Sequence, residues 1–233
     1  MDEKRIEGSK VLPFRFFAAH RELENSHLRT NNLYAVLGEV LKKSIKNIPK
    51  LVGKTFIAAD VSASMAWTRL SRESSFSVAD IAVLFLAMAN YICEDTITVT
   101  FDTELKKVVL DPNGNIIANA KNIPITGGGT DINLPIKYLL KNNIFVDRII
   151  IFSDNQINVD FDYVCQKLVD RYRKMINPNV WVHAVDLEGY GTQQFKGDKV
   201  NIIAGWSEKV LEFIPLAEHG VTTLVDRIKK YEI

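Results

Sequence analysis

The run Phe56-Ile57-Ala58-Ala59-Asp60-Val61-Ser62-Ala63-Ser64-Met65 constrains this chain more than any other stretch. Its apolar part, from Thr55, shows no polar alternation, as expected of a strand covered on both faces. It breaks into Asp-x-Ser-x-Ser, which places one carboxylate and two hydroxyls within a single turn. In open α/β sheets the carboxyl edge is where ligands bind. The rest of the chain then matters first by whether it brings further oxygen atoms to the same edge.

The segments after Lys54 alternate between strand and helix patterns. Thr55 to Val61 reads as a strand, and Ser77 to Tyr91 as an apolar helix capped by Ser75 or Ser77. Thr96 to Phe101 and Leu105 to Leu110 read as two strands flanking Asp102-Thr103-Glu104, a hairpin that makes one edge antiparallel. The turn Asp111-Pro112-Asn113-Gly114-Asn115 follows. Pro124-Ile125-Thr126-Gly127-Gly128-Gly129-Thr130-Asp131 is a flexible loop running into a helix from about Asn133 to Leu140. Asp147 to Ser153 is a buried strand ending on Asp154, Phe161 to Met175 a helix, and Val180 to Val185 and Ile202 to Ala204 further strands. A helix over Val221 to Tyr231 closes the chain. This alternation predicts an α/β fold with a doubly wound, mostly parallel sheet and one antiparallel edge strand.

Residues 1–50 differ. Pro13 can open a helix, Phe14 to Leu23 is apolar on most sides, and Asn25 to Asn32 is a polar break. Leu33, Val36, Leu37, Val40, Leu41 and Ile45 then recur at helical spacing. The pattern predicts a short helical pair, which either packs on residues 51–233 or belongs to a helical stack.

Three segments thus present oxygen ligands: Asp60, Ser62 and Ser64; Thr130 with Asp131; and Asp154. A site of few charges and several neutral oxygens suits Mg²⁺, with Mn²⁺ or Ca²⁺ as alternatives. No histidine or cysteine joins the set, which disfavours zinc. Two carboxylates and three hydroxyls rarely fill a divalent ion's shell, so water or an acidic group from a partner would complete it. Asp131 is equally placed to cap the following helix, the role favoured here, and Asp102 reads as a turn residue.

Asp60-x-Ser62-x-Ser64, Thr130 within Gly129-Thr130-Asp131, and Asp154 resemble, in order and spacing, the metal-ion-dependent adhesion site of von Willebrand factor A domains. That resemblance covers about residues 51–233. A narrower one adds Leu12-Pro13-Phe14-Arg15-Phe16, Ala59 to Met65, Gly128-Gly129-Thr130-Asp131, Phe152-Ser153-Asp154-Asn155 and Gly205-Trp206-Ser207. Together these resemble the carboxyl-terminal part of the Ro autoantigen (TROVE) family, whose members join a ring of helical repeats to a von Willebrand A domain. The resemblance implies that Asp60, Ser62, Ser64 and Thr130 are metal ligands, directly or through water, with Asp154 acting through water. It also implies a ribonucleoprotein setting in the cytoplasm, with small noncoding RNA bound by the ring. Only the last helical pair of that ring, about residues 10–48, is matched here, so the chain is expected to be an excised fragment or a short relative, and autonomous RNA binding is not expected.

Other features point to ordinary roles. A net charge of +1 argues against a strongly basic nucleic-acid surface over the whole chain, although a local patch can hide in the average, so any RNA or DNA contact must be local or borrowed, and no DNA partner is expected. No apolar run approaches about 18 residues, which predicts no membrane span. Cys93 and Cys165 lie far apart in apolar segments and read as free thiols in a reducing compartment. His183 sits in an apolar strand and reads as a core residue. Met65, Trp67 and Arg69 form either a partner-facing rim or an ordinary loop. Lys42, Lys43, Lys46 and Lys50 suggest a solvated helix face more than a phosphate contact. Gly53-Lys54-Thr55 resembles the end of a phosphate-binding loop but lacks its earlier glycine and its helix. The functional expectation is a metal-dependent binding module docking an acidic group of a protein or RNA partner. The rival is a Mg²⁺-dependent phosphohydrolase with Asp60 as nucleophile, weakened because the second aspartate such enzymes carry two positions on is Ser62 here. A third reading is a structural domain that keeps the motif without using it.

Overall fold

The computed structural model describes residues 13–25, 31–46, 48–72, 74–111, 114–156, 164–191, 194–207, 209–220 and 229. The helix expected over 221–231 lies outside the described residues except for residue 229, as do Leu12, Pro112, Asn113 and residues 161–163. Two helices open the described chain, α1 (Pro13–Asn25) and α2 (Asn31–Ser44). There follow β1 (Leu51–Asp60), α3 (Ala63–Trp67), α4 (Val78–Ile92), β2 (Cys93–Phe101) and β3 (Leu105–Lys107). The remainder is α5 (Ile116–Lys121), α6 (Leu134–Lys141), β4 (Arg148–Ser153), α7 (Val164–Met175), β5 (Trp181–Asp186), β6 (Val200–Ala204) and α8 (Lys209–Glu218). Among the described residues, no helix is long and apolar enough to cross a membrane.

The strands form one sheet in the order β3-β2-β1-β4-β5-β6. All neighbours are parallel except β3, which pairs antiparallel with β2 at the edge. The sheet is therefore doubly wound, and the order reverses between β1 and β4. That reversal opens a crevice at the carboxyl ends of those two strands, where Asp60 and Asp154 stand.

The apolar runs are continuous because both faces are covered. Along β1, Phe56 and Ala58 enter one core with α6 and α7, while Ile57 and Ala59 enter the other with α4, α5 and α8. The β4 residues split the same way, Ile149 and Ile151 against Ile150 and Phe152. The helical pair shares the second core. Phe17, Leu41, Ile45 and Ile48 are buried in it, and Phe14 meets the rings of Phe76 and Trp206 edge-on at 5.7 and 4.8 Å. Gly38 permits the close approach of α2 to α5: an added Cβ would lie 1.7 Å from the Asn115 amide nitrogen.

Several elements depart from the sequence pattern. The strand expected to reach Leu110 stops at Lys107. Helix α8 was not legible, since Pro215 lies inside it and proline removes a backbone donor there. Burial of Val210, Leu211 and Ile214 holds it. Met65 is fully buried, and only Trp67, 78 % exposed, is placed for a rim. Arg69 instead donates to the Ser75 carbonyl at 2.7 Å. Lys42 lies 5.2 Å from the Tyr91 ring, while Lys46 and Lys50 are exposed. His183 is a buried, hydrogen-bonded core residue, and both cysteines are free.

Ser77 caps α4. Its hydroxyl accepts from the Asp80 N–H, and the Asp80 carboxylate accepts from the Ser77 N–H at 2.8 Å, a reciprocal capping box. Ser77→Ala is expected to lower unfolding free energy by about 1 kcal/mol, the ordinary worth of such a cap, measured by urea denaturation. A loss below about 0.3 kcal/mol would show that packing alone holds the helix start.

Candidate metal centre at the sheet edge

Asp60 ends β1 with its side chain fully buried. One oxygen, Oδ1, accepts the Ser62 N–H at 2.9 Å, which closes the turn and directs the chain into α3. The other, Oδ2, accepts the Ser153 hydroxyl at 2.7 Å. Ser62 and Ser64 place their hydroxyl oxygens 3.3 Å apart beside it. Burial pushes the Asp60 carboxyl up to about 6, against the lowering effect of the Ser62 and Ser153 hydrogen bonds. The Asp154 charge adds to the rise, so the two carboxylates feel one another.

The glycine loop is tied to this turn by the backbone. Ala63 N–H donates to the Gly128 carbonyl at 2.7 Å, and Gly127 N–H donates to the Val61 carbonyl at 2.9 Å. Thr130 follows, 5 % exposed. Asp154 comes directly after Ser153 and is 1 % exposed, with its Oδ1 accepting the Gln156 N–H at 3.0 Å. Asp60, Ser62 and Ser64 therefore form one cluster, with Asp154 and Thr130 delivered from β4 and the loop.

Asp131 stands apart, its oxygens committed to the helix entry. Its Oδ1 accepts from the Asn133 N–H and amide, and its Oδ2 pairs with Lys137 at 3.0 Å. Asp102 has a larger role than a turn residue. It accepts from the Glu104 N–H at 2.8 Å and the Thr126 hydroxyl at 2.5 Å, and its carbonyl accepts the Asp131 N–H at 2.9 Å. Burial opposes its charge, but the Thr126 and Glu104 hydrogen bonds and Lys106 outweigh it and hold the carboxyl below its usual range. Asp102 thus clamps both ends of the loop carrying Thr130. A Cβ on Gly128 would fall 2.7 Å from its Oδ2, so only glycine passes there without displacement.

Three supporting residues escaped sequence reasoning. Ser153 bridges Asp60 to the Asn155 N–H, which donates to its hydroxyl at 3.1 Å. Asn155 is 1 % exposed, and its Oδ1 is buried without a hydrogen-bond partner among the described residues. Asp186 accepts the N–H groups of Glu188, Gly189 and Gly191 and shapes the loop after β5. For Asp186 the following Gly189 and Gly191 were a usable signal; Ser153 and Asn155 stood in the Phe152-Ser153-Asp154-Asn155 stretch, which by itself assigned them no role.

Buried carboxylates are normally paired with a base or coordinate a metal. Among the described residues, no basic side chain pairs with Asp60 or Asp154. Nor do three His, Cys, Asp or Glu side chains converge anywhere in them. What the edge offers is a hard-oxygen set of two carboxylates and three hydroxyls, chemically fit for a hard divalent cation.

A family model of the Ro60 vWA domain matches residues 54–214. The chain belongs to the Ro60 vWA family. Among solved structures, the Deinococcus radiodurans RO (RSR) protein superposes with a TM-score of 0.72 at 16 % identity. The match covers 93 % of this chain and 46 % of that one, so the chain spans about half the length of that protein. At this identity the likeness shows the fold, including the helical pair ahead of the vWA sheet. Proximal thread matrix protein 1 from the mussel byssus, solved with a zinc occupied MIDAS motif, gives a TM-score of 0.47 at 14 % identity. That match covers 83 % of this chain and 51 % of the other, too loose a likeness to transfer anything.

Proposed function

We propose that this Ro-family vWA domain is a metal-dependent binding module rather than an enzyme. Asp60, Ser62, Ser64 and Thr130 hold Mg²⁺ directly or through water, and Asp154 acts through water. Mn²⁺ or Ca²⁺ would be accepted by the same oxygens. The supporting observation is Asp60: a fully buried carboxylate with no basic partner among the described residues, beside two hydroxyls, at the reversal point of the sheet. Five protein oxygens, not all of them direct ligands, leave a position for a carboxylate or phosphate from a protein or RNA partner. When bound, the ion supplies a fixed positive charge that makes such a contact specific and sensitive to chelators.

Residues 51–233 would then be the vWA-type domain, and residues 1–50 the last pair of a helical-repeat region. Small noncoding RNA would be bound chiefly by that region, within a cytoplasmic ribonucleoprotein. The phosphohydrolase reading fits less well. Position 62, where such enzymes carry a second aspartate, holds Ser62, whose hydroxyl lies 3.3 Å from that of Ser64 and is no general acid or base near neutral pH.

Mn²⁺ serves as a magnetic probe of this reading. One Mn²⁺ per chain is expected to bind, to be displaced by Mg²⁺, and to enhance water-proton relaxation through its bound waters. A glutamate-containing peptide is expected to reduce that enhancement by displacing water. Relaxation unaffected by the peptide at saturating concentration would reject acid docking, and absence of Mn²⁺ binding would reject the metal site. Gly128→Ala, which drives a Cβ against Asp102, is expected to weaken Mg²⁺ by about ten- to hundredfold, the usual cost of disturbing an outer shell. Calorimetric titration reads this directly, and unchanged affinity would show that the loop does not position a ligand.

A further inference from the structure

Helices α6 and α7 pack side by side on the core opposite the helical pair, and each turns one stripe outward. Lys137, Leu140 and Lys141 lie at i, i+3, i+4 on α6, and Leu168, Arg171 and Met175 at i, i+3, i+7 on α7. The two stripes line one groove of about 250 Å³. Its floor is apolar, its rim carries three cations, and no acidic side chain lines it. Lys137 is paired with Asp131. Lys141 and Arg171 have no carboxylate partner among the described residues; the Arg171 Nε–H rests on the Met175 sulfur at 3.4 Å. Met175 is 58 % exposed.

Two like charges at i, i+4 on α6 oppose one another, and the exposed Met175 lies beside an Arg171 with no carboxylate partner among the described residues. An occupant with acidic flanks and an apolar stripe would satisfy the two together. We propose that this groove docks an acidic amphipathic helix of a protein partner. The channel between two packed helices accepts a third by the same ridge-and-groove fit. Met175 is flexible enough to mould itself to an apolar side chain, and the rim cations match acidic flanks and steer their approach. Nucleic acid suits the groove less well, because its lining contains no aromatic ring on which bases could stack. Helices that follow strands of a parallel sheet run back toward its amino edge. Lys141 and Met175 end α6 and α7, so the far end of the groove opens away from Asp60, and none of the groove's lining residues is a proposed metal ligand.

The test is fluorescence anisotropy with a labelled peptide of about 20 residues, long enough to hold helix, with leucines on one face and glutamates beside them. Saturable binding is expected, weakened by salt and unchanged by chelator. Lys141→Glu combined with Arg171→Glu, both exposed, should weaken it by at least about tenfold, and Met175→Ser should weaken it separately. The proposal is overturned if a scrambled peptide of identical composition binds equally well, since the site would then be charge alone. It is also overturned if an oligouridylate displaces the peptide at lower concentration, which would make the occupant nucleic acid. Self-association seen by ultracentrifugation, and abolished by the charge reversals, would make it a second copy of this chain and overturn it likewise.

Discussion

Mg²⁺ is expected to raise the melting temperature of the wild-type domain, and Asp60→Ala to abolish that rise. A ligand that binds only the folded state at about a hundred times its Kd adds roughly 2.7 kcal/mol. For a domain of this size that corresponds to a Tm rise of roughly 5–10 °C, easily read by calorimetry. Removing the buried carboxylate removes both the ion's charge partner and the acceptor that orders the Ser62 turn. The variant should therefore melt at one temperature with Mg²⁺ or chelator. A Mg²⁺ shift that survives in Asp60→Ala would place the ion elsewhere.

The same residue sets an expected pH dependence. In the metal-free protein its carboxyl lies near 6, against an ordinary value of 3.8. The folded state therefore holds the proton more tightly than the unfolded state. Its contribution to stability is fully present below the ordinary value and is lost as pH rises through about 6. A shift of about two pH units corresponds to roughly 3 kcal/mol. With chelator present, wild type should lose that much more than Asp60→Ala between pH 4 and 7. Saturating Mg²⁺ should reverse the trend, because the ion competes with the proton and holds the carboxylate ionised. Parallel pH profiles for the two proteins in chelator would show that the Asp60 carboxyl is not perturbed.

Glu218→Ala is expected to destabilise the fold by about 3–5 kcal/mol, the cost of breaking a buried ion pair from one side. Glu218 ends α8, where an acid faces the negative end of the helix dipole. What holds it there is a fork of bonds from Arg148, Nε–H at 2.7 Å and Nη2–H at 3.0 Å. His183 Nε2 lies 2.9 Å from Oε1. The Asn201 amide can only donate to His183 Nδ1, at 3.2 Å, so the ring proton sits on Nε2 and points at Glu218. Burial, above all, pushes the His183 pKa down, so the ring is neutral near pH 7. Its contribution to stability is present above about 6.5 and is lost as pH falls toward the lower folded value.

Without Glu218, Arg148, 7 % exposed, keeps among the described residues only the Thr55 hydroxyl at 2.9 Å. Replacing both partners, Arg148→Met with Glu218→Leu, should recover part of the loss, since apolar residues of similar volume avoid the buried charge, while the buried His183 Nε2–H still lacks its acceptor. Urea denaturation of the two variants measures both effects. A loss below about 1 kcal/mol for Glu218→Ala would mean that water reaches Arg148 and that the pair acts as a surface one.

The legible parts of this molecule are those whose cause is local. Strands β1 and β4 stood out because burial on both faces demands unbroken apolar runs. The start of α4 was legible to within two residues, at Ser75 or Ser77, and the structure decides for Ser77 through Asp80 three residues on. The oxygen-bearing turn was visible because Asp60, Ser62 and Ser64 lie within five residues, and the order of elements was enough for the sheet's class. The elements that stayed hidden had local signals pointing the wrong way. Pro215 argued against α8, and Trp67 made the segment after Ser64 look like a loop although Met65 anchors it in the core.

What only the folded chain decides is which polar groups meet across long separations. Asp102 reaches Thr126 from the neighbouring strand pair, and Ser153 reaches Asp60 across 93 positions of sequence. Arg148, His183 and Glu218 converge from two strands and a helix. A pattern read along the chain reports which side chains prefer burial, because that preference depends on each residue's own surface. It does not report which buried donor faces which acceptor, because that depends on strand order and register, and these exist only once the sheet has closed its core.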